Sequence, residues 1–586
     1  MGARRSEFSG IAACPGVAVG PALVAVAARR HWPRRHIDPI AVDHQLLRLH
    51  DAVEASRKEL MAIRDALGPD APADYRLIVD AHLLMHGDEL LLEAANEAVR
   101  DECVNAEWAI ERAVARIKDH LEQAPHPYFR ERAQDVEQVG RSIIGHLVGH
   151  DSTLPTTRSE CVLVVDDLRP ADAARLIESP VLALVTGLGS ATSHTAILAR
   201  TLEIPSVVGV SGIVERVGQG DVLVVDALHN RVILDPEPDE VERAAARAQR
   251  YFRFTRELRS HGTQAISRDG VELSLMVNVD LPEEVAIAMN EGAPGIGLYR
   301  TEFLYLDRTA PPDEEEQFAA YQRVVQAAQG RPLVLRTFDL GGDNLIQDAT
   351  LTGAPNPALG LRAIRLALSR KTLFRSQLCA ILRAAATGDV RLLLPLVSGL
   401  ADLRRAKQAL ADARAELDDR GQTYGDVQLG VMVELPAAVI MADRLAPEVD
   451  FFSVGTNDLV QYTLAVDRSN PAVAHMADSL DPAVLRLLDR VVRVAAEHEV
   501  PITMCGDMAT HPVSLPVVLG LGFRSVSVPL SALPLCREVV RALDLEQAKE
   551  VARHALDCDT ATEVHALARE EFGPDLRDLW IEAGVD

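Results

Sequence analysis

Along the first part of the chain the apolar positions change their spacing twice. Residues 9–26, SGIAACPGVAVGPALVAV, alternate small and β-branched side chains around Pro15-Gly16 and Gly20-Pro21, which predicts two short strands with turns. From Asp38 the period lengthens: Leu46, Leu49, Val53, Leu60, Ile63 and Leu67 recur at alternating threes and fours, with Ser56 the polar member of the stripe. That spacing lays one apolar face along a long helix, which Gly68-Pro69 stops. Helix-period segments at 77–84, 90–99, 109–121 and 136–148 extend it into an antiparallel bundle.

Beyond residue 151 the strand pattern returns at 161–166, 181–185, 206–210, 222–226 and 231–234. The strands of 9–26 are too few to fold alone, so they are expected to pair with this later set. The reading is therefore an α/β domain from residues 1–37 and 150–235, interrupted by a helical subdomain at 38–149. Asp235-Pro-Glu-Pro-Asp239 breaks the chain, and the charged helical stretch 241–259 marks 236–261 as a linker helix.

From residue 262 to 586 β-rich runs recur at 273–280, 295–298, 333–338, 390–396, 427–434, 451–454, 502–505 and 525–528, most of them separated by helical segments. Eight strands alternating with helices predict a (β/α)₈ TIM barrel, whose chemistry belongs at the C-terminal ends of the strands. Reading off those ends gives Arg300, Arg336 with Asp339, Glu434, Asn457-Asp458 and Cys505. The fold class is α/β and multidomain.

Composition narrows the partners. At 586 residues the chain has room for about three domains, and 48% hydrophobic with 25% charged residues is an ordinary globular balance. The formal charge, 60 − 86 = −26, repels phosphate backbones and anionic lipids, so no nucleic acid is expected and a basic protein partner is favoured. Seven scattered cysteines without a CxxC pair argue against a disulfide framework or a zinc knuckle. No apolar run approaches the length of a membrane span, and MGARRSEFSG has no apolar signal core behind it. The expectation is a cytoplasmic enzyme with no membrane insertion.

The candidate chemistry lies in two places. In GSATSHTAILAR (189–200) His194 follows an apolar run and precedes a helix-compatible segment, which puts it on a strand-to-helix turn. There unbonded backbone N–H groups and the hydroxyls of Thr192, Ser193 and Thr195 would stabilise a phosphate carried by the imidazole. In the barrel, Glu434 and Asp458 on neighbouring strands are the minimum for Mg²⁺ completed by water and substrate oxygens. Arg300, Arg336, Arg362 and Arg468 suit a phosphate and a carboxylate, so the ligand is read as small and strongly anionic. Cys505 is open between an acid or nucleophile and inert packing. His82 and His86 have the i, i+4 spacing of a zinc pair, but Leu83 replaces the glutamate of HExxH; they read as a helix surface, with docking the better functional use.

Seven segments carry a family likeness. TSHTAILAR (192–200), GIGLYRTEFL (295–304), RTFDLGGD (336–343), LRAIR (361–365), GVMVELPAA (430–438), FFSVGTNDLVQYTLAVDR (451–468) and MCGD (504–507) closely resemble Enzyme I of the bacterial phosphoenolpyruvate:sugar phosphotransferase system. Pyruvate phosphate dikinase and phosphoenolpyruvate synthase share its phosphohistidine and barrel domains, but the chain has neither room nor a glycine-rich loop for their ATP-grasp domain. The resemblance implies a phosphoenolpyruvate-protein phosphotransferase that opens sugar uptake. Phosphoenolpyruvate and Mg²⁺ would bind in the barrel mouth and His194 would take the phosphoryl group on Nε2. Glu434 and Asp458 would ligate the metal, and Arg300 and Arg336 would hold the phosphate. Arg468 and the backbone around Asn457 would hold the carboxylate, with Arg362 among the substrate-binding residues, and Cys505 would protonate the enolate to pyruvate. The helical subdomain would dock the phosphocarrier HPr, and the barrel would form a homodimer.

Three positions depart from the family pattern: Ser190 stands where a second glycine is usual, Asn344 replaces a lysine, and Asp507 replaces a glutamate. They are the support for the alternative, a weakened paralogue that works as a regulatory carrier-docking protein.

Overall fold

In the computed structural model the described residues are 5–25, 34–66, 83, 86, 89–122, 127–148, 159–168, 179–189, 194–201, 204–260, 262–280, 282–305, 311–340, 357–468, 470 and 473–585. They form two compact units, Met1–Phe254 and Thr255–Asp586.

The first unit is built on an eight-stranded sheet in the order β1-β8-β7-β3-β4-β5-β6-β2. Its strands are β1 (Ser6–Ser9), β2 (Ile11–Cys14), β3 (Val17–Ala25), β4 (Cys161–Val165), β5 (Val181–Thr186), β6 (Ser206–Val208), β7 (Val222–Asp226) and β8 (Arg231–Leu234). The chain start thus gives three strands where the pattern predicts two, and Gly20-Pro21 lies inside β3 instead of in a turn. The physical reason is that β3 changes partners there. Residues 17–21 run antiparallel to β7 and residues 22–25 run parallel to β4, so the missing N–H of Pro21 falls at the changeover. The next bond is made by Ala22 N–H to the Asp221 carbonyl at 2.8 Å.

Between β3 and β4 the chain makes the helices Val42–Ala66, Glu89–Asp101, Ala106–Glu122 and Pro127–Val148. Leu49 and Val53 of the predicted stripe are buried against Leu91, Ile110 and Ile143 in a core of their own. The segment predicted at 77–84 lies outside the described residues except for Leu83, as does His82. His86 corrects the surface reading: it is 1% exposed. Its Nε2 lies 2.7 Å from Ser56 Oγ, which is in turn 2.7 Å from Ser142 Oγ. The polar gap in the stripe is therefore a buried hydrogen-bonded group, since a hydroxyl in an apolar core needs partners.

The helix Pro238–Ser260 is more than a connector. Ala244 is buried with Val17, Val224 and Ile233 against the sheet. Arg5 grips Glu240 with Nε at 3.0 Å and Nη2 at 2.7 Å, and Arg247 reaches the Asp226 carboxylate at 3.0 Å. The high charge of 241–259 hid a narrow alanine stripe, and at least its first turns belong to this unit.

The second unit closes β9 (Ser274–Val279), β10 (Ile296–Arg300), β11 (Leu333–Arg336), β12 (Val390–Leu394), β13 (Gln428–Val433), β14 (Phe451–Val454), β15 (Ile502–Met504) and β16 (Ser525–Pro529) into a parallel barrel. All eight predicted strands are present. Helices alternate with them, some set by local chemistry: Asp313 Oδ1 accepts from Glu316 N–H at 2.9 Å while Glu316 Oε2 accepts from Asp313 N–H at 3.0 Å, a capping box opening Glu314–Ala327. Leu298, Val334, Leu393, Met432, Phe451 and Cys505 form one cluster inside the ring of strands. Val433 pairs with Val454 and Val454 with Met504, so the next residues, Glu434, Gly455 and Cys505, stand at one level of the mouth. No helix among the described residues is long and apolar enough to cross a membrane.

Candidate active site

The residues read from the barrel's strand ends gather into a charged group that is buried around Arg336, Arg362, Glu434 and Asp458 and open to solvent at Arg300 and Arg468. Arg300 and Arg336 end adjacent strands and are paired in register. Arg336 donates to Glu302 Oε1 at 2.9 Å and lies 3.3 Å from Asp339 Oδ2. Arg362 donates through Nε and Nη2 to Asp339 at 2.8 to 3.0 Å, and Nη2 is 3.2 Å from Asp458 Oδ2. Arg468 reaches Asp458 Oδ1 at 3.3 Å, and Arg300 donates to Asp280 at 3.2 and 3.3 Å. Burial works against the charges of Arg336 and Arg362. The carboxylates around each, Glu302 and Asp339 for the first, Asp339 and Asp458 for the second, outweigh it and raise both pKa values.

Glu434 is the discordant member. It is buried, with Oε1 accepting from Leu396 N–H at 2.5 Å, and Gly455 passes so close that a Cβ there would sit 2.8 Å from Oε2. Burial first, then Asp339 and Asp458, push its pKa up to about 8 against the opposing pull of Arg336. Asp458 is also buried, and among the described residues its Oδ2 accepts no hydrogen bond beyond the 3.2 Å ion-pair contact with Arg362; Arg336 Nε, Glu302 Oε2, Thr456 Oγ1 and Asn278 Oδ1 are buried without one there. Polar atoms buried this way are costly unless a ligand supplies partners. The donor set fits a hard divalent cation: two carboxylates, with the remaining positions left to oxygens of substrate and water. Among the described residues no three carboxylate, histidine or cysteine side chains converge to hold a metal by themselves.

Cys505 follows β15 with 5% exposure. Burial raises its pKa, so the sulfur carries its proton at neutral pH, while Ser453 Oγ donates to it at 3.3 Å. Asn457 and Asp507 close a mutual pair: Asn457 Nδ2 donates to Asp507 Oδ2 and Asp507 N–H donates to Asn457 Oδ1, both at 2.9 Å. The shorter acid at 507 therefore reaches its neighbour. Gly506 is required for space, because a Cβ there would lie 1.9 Å from Thr456 Oγ1.

In the first unit His194 is the first residue of the helix His194–Thr201, after β5 as the sequence predicts; its ring lies outside the described residues. Ala196 is buried against Ala13 and Val208, and Leu198 and Ala199 pack with Cys14, Leu163 and Leu184, so the sheet fixes this helix. Thr195 departs from expectation: its hydroxyl is buried and donates to Asp167 Oδ1 at 3.0 Å, which commits it to the protein instead of a phosphate. Gly189 has φ +111°, a conformation L side chains avoid. Ser190, Thr192, Ser193 and residues 341–344, with Asn344, lie outside the described residues.

Sequence reasoning did not assign Glu302, Ser453, Tyr462 or Asn278. Glu302 sits two residues past a strand-end arginine, but its role comes from contacts in the fold: Oε1 accepts from Arg336 Nη2 at 2.9 Å and from the Asp339 N–H at 2.6 Å. Tyr462 takes a hydrogen bond from Arg362 at 3.3 Å, and Asn278 donates to the carbonyls of Cys505 and Ser527 at 3.0 and 3.1 Å.

The chain matches three profiles: PEP-utilising enzyme, N-terminal, over residues 9–132; PEP-utilising enzyme, mobile domain, over 157–230; and PEP-utilising enzyme, PEP-binding domain, over 255–545. A phosphoenolpyruvate-protein phosphotransferase of Staphylococcus epidermidis is 36% identical over 566 residues, 96% of this chain and 99% of the relative. Proteins of the same name from Staphylococcus aureus and Geobacillus stearothermophilus are each 37% identical, covering 96% and 97% of this chain and 98% and 99% of their own lengths.

Proposed function

The chain belongs to the phosphoenolpyruvate-utilising enzymes, and we propose that it acts as a phosphoenolpyruvate-protein phosphotransferase with His194 as the phosphoryl carrier. The observation that carries this reading is the barrel mouth: the buried carboxylates Glu434 and Asp458 beside arginines at the strand ends. Arg300 and Arg336 would orient the substrate phosphate, and Arg468 with the backbone around Asn457 would orient the carboxylate, with Arg362 closing the set through Asp339 and Asp458. When held by Glu434 and Asp458, Mg²⁺ would neutralise charge on the phosphoryl oxygens as the ester bond opens. The His194 Nε2 lone pair forms the N–P bond while the bond from phosphorus to the C2 oxygen breaks and leaves its electrons on the enolate. Cys505 then gives its proton to C3, forming pyruvate. The phosphoryl group passes on to a histidine of a small carrier of the HPr type docked on the helical subdomain, the opening step of sugar uptake. By family likeness the barrel pairs as a homodimer, which sedimentation of the full chain tests.

Full-length protein incubated with ³²P-labelled phosphoenolpyruvate and Mg²⁺ is expected to acquire acid-labile, base-stable phosphate and to hand it to added HPr. His194→Ala should lose all label while still binding phosphoenolpyruvate, whose ligands lie in the barrel. Retained acid-labile phosphate in that variant would remove His194 from the scheme.

A further inference from the structure

A proton donor buried this deeply needs its sulfur charge stabilised once the proton has left, and only a few groups surround it. Cys505 Sγ–H points to the Val454 carbonyl at 3.5 Å, while Ser453 Oγ–H donates to Sγ at 3.3 Å. Ser453 is itself 2% exposed on β14, one residue before Val454, so water does not compete with that bond. Around them Leu298, Val334, Leu393, Met432 and Phe451 make an apolar wall. Asn278 fixes the Cys505 main chain by its hydrogen bond to the carbonyl. A thiolate there loses its water, a cost that Arg336 and Arg300 partly offset and Glu434 adds to, so a hydrogen bond made directly to the sulfur still counts.

We propose that Ser453 is a positioning residue for proton transfer at Cys505, aiming the thiol and taking up the charge of the thiolate. The inference rests on the reading of Cys505 as the enolate's proton donor. In the step, the enolate's C2–C3 π pair forms a C3–H bond, the S–H bond breaks with its pair staying on sulfur, and the Ser453 hydroxyl donates to the resulting thiolate. A solvent proton restores the thiol before the next turnover. Hydrogen bonds to charged groups exceed neutral ones in strength, so the contact is worth more after the transfer than before it. A group that binds more strongly along the reaction speeds it.

The test is isotope exchange at chemical equilibrium. Full-length protein is mixed with phosphoenolpyruvate, pyruvate and Mg²⁺ in D₂O, and loss of the pyruvate methyl proton signal is followed by NMR alongside the KM for phosphoenolpyruvate. Ser453→Ala should slow methyl exchange about tenfold, equivalent to ~1.4 kcal/mol, with KM within about twofold of wild type, as expected for an interaction made along the reaction. Ser453→Thr, which keeps the hydroxyl, should recover most of the rate. Equal losses in both variants, or a rise in KM that accounts for the change, would mean a packing role and overturn the proposal. Wild-type exchange in Ser453→Ala with exchange lost in Cys505→Ala would also overturn it while leaving the donor assignment intact. Wild-type exchange in Cys505→Ala would remove the donor assignment and the role of Ser453 together.

Discussion

Each unit buries an acidic residue among positive groups, and the two residues are pulled in opposite directions. Asp226, at the end of β7, is fully buried; His229 Nδ1 lies 2.9 Å from it, Arg231 Nε 3.1 Å and an Arg247 nitrogen 3.0 Å. Burial alone would raise its pKa, but those three neighbours win and lower it. Glu434 in the barrel is equally hidden, yet its nearest charges include Asp339 and Asp458, and it rises to about 8. The first site is complete within the protein and fastens the helix Pro238–Ser260 to its sheet. The second leaves Glu434 among other carboxylates that engage the nearby arginines, and that imbalance is what marks it as a candidate binding site.

Three experiments press on this contrast. The largest effect is expected from Glu434→Gln, which should lower kcat/KM for phosphoenolpyruvate on the order of 10³-fold while the melting temperature at neutral pH holds or rises, because an amide needs no counter-ion. Activity retained in that variant would make Glu434 structural, like Asp226. Asp226→Asn should do the reverse, leaving phosphoenolpyruvate binding unchanged. It should destabilise the first unit by about 2 to 4 kcal/mol in urea unfolding, toward the low end for a broken buried pair because Arg231 and Arg247 keep some contact with water. The smallest effect is the pH response of protein treated with chelator. Asp226 starts from 3.8 and is lowered, so its contribution is present above that value and is lost as pH falls through the folded value. Glu434 starts from 4.5 and is raised to about 8, so its contribution is full below about 4.5 and is lost as pH climbs through about 8. Calorimetry should therefore show the wild-type barrel losing stability from about pH 4.5 to about 8. Glu434→Gln should flatten that slope and Asp226→Asn should leave it alone.

Most of the barrel was legible because its strands are buried on both faces and read as apolar runs with polar residues at one end, the pattern that placed Arg300, Arg336, Glu434 and Cys505 correctly at strand ends. The failures came where one residue serves two neighbours. Pro21 reads as a turn, but it lies at β3's change of partner, a fact of sheet order that no local window contains. Ser56 and His86 look like polar interruptions 30 positions apart, and only the folded bundle joins them. The same limit governs the site. The sequence names the charged residues, but the pairing of Arg362 with both Asp339 and Asp458, the bond from Ser453 to Cys505, and the commitment of Thr195 to Asp167 are contacts between separate elements.

The parallel pairing of β3 with β4 constrains how the chain can join them. Two parallel neighbours cannot be joined by a tight hairpin, and even the leanest chain needs a crossover of roughly a dozen residues. Here that connection contains an entire helical bundle, with entry and exit on adjacent strands of the sheet. A bundle of another length could be substituted at this seam without altering the strand order, provided the replacement still covers Leu163, Leu184 and Leu198, against which Leu60 packs.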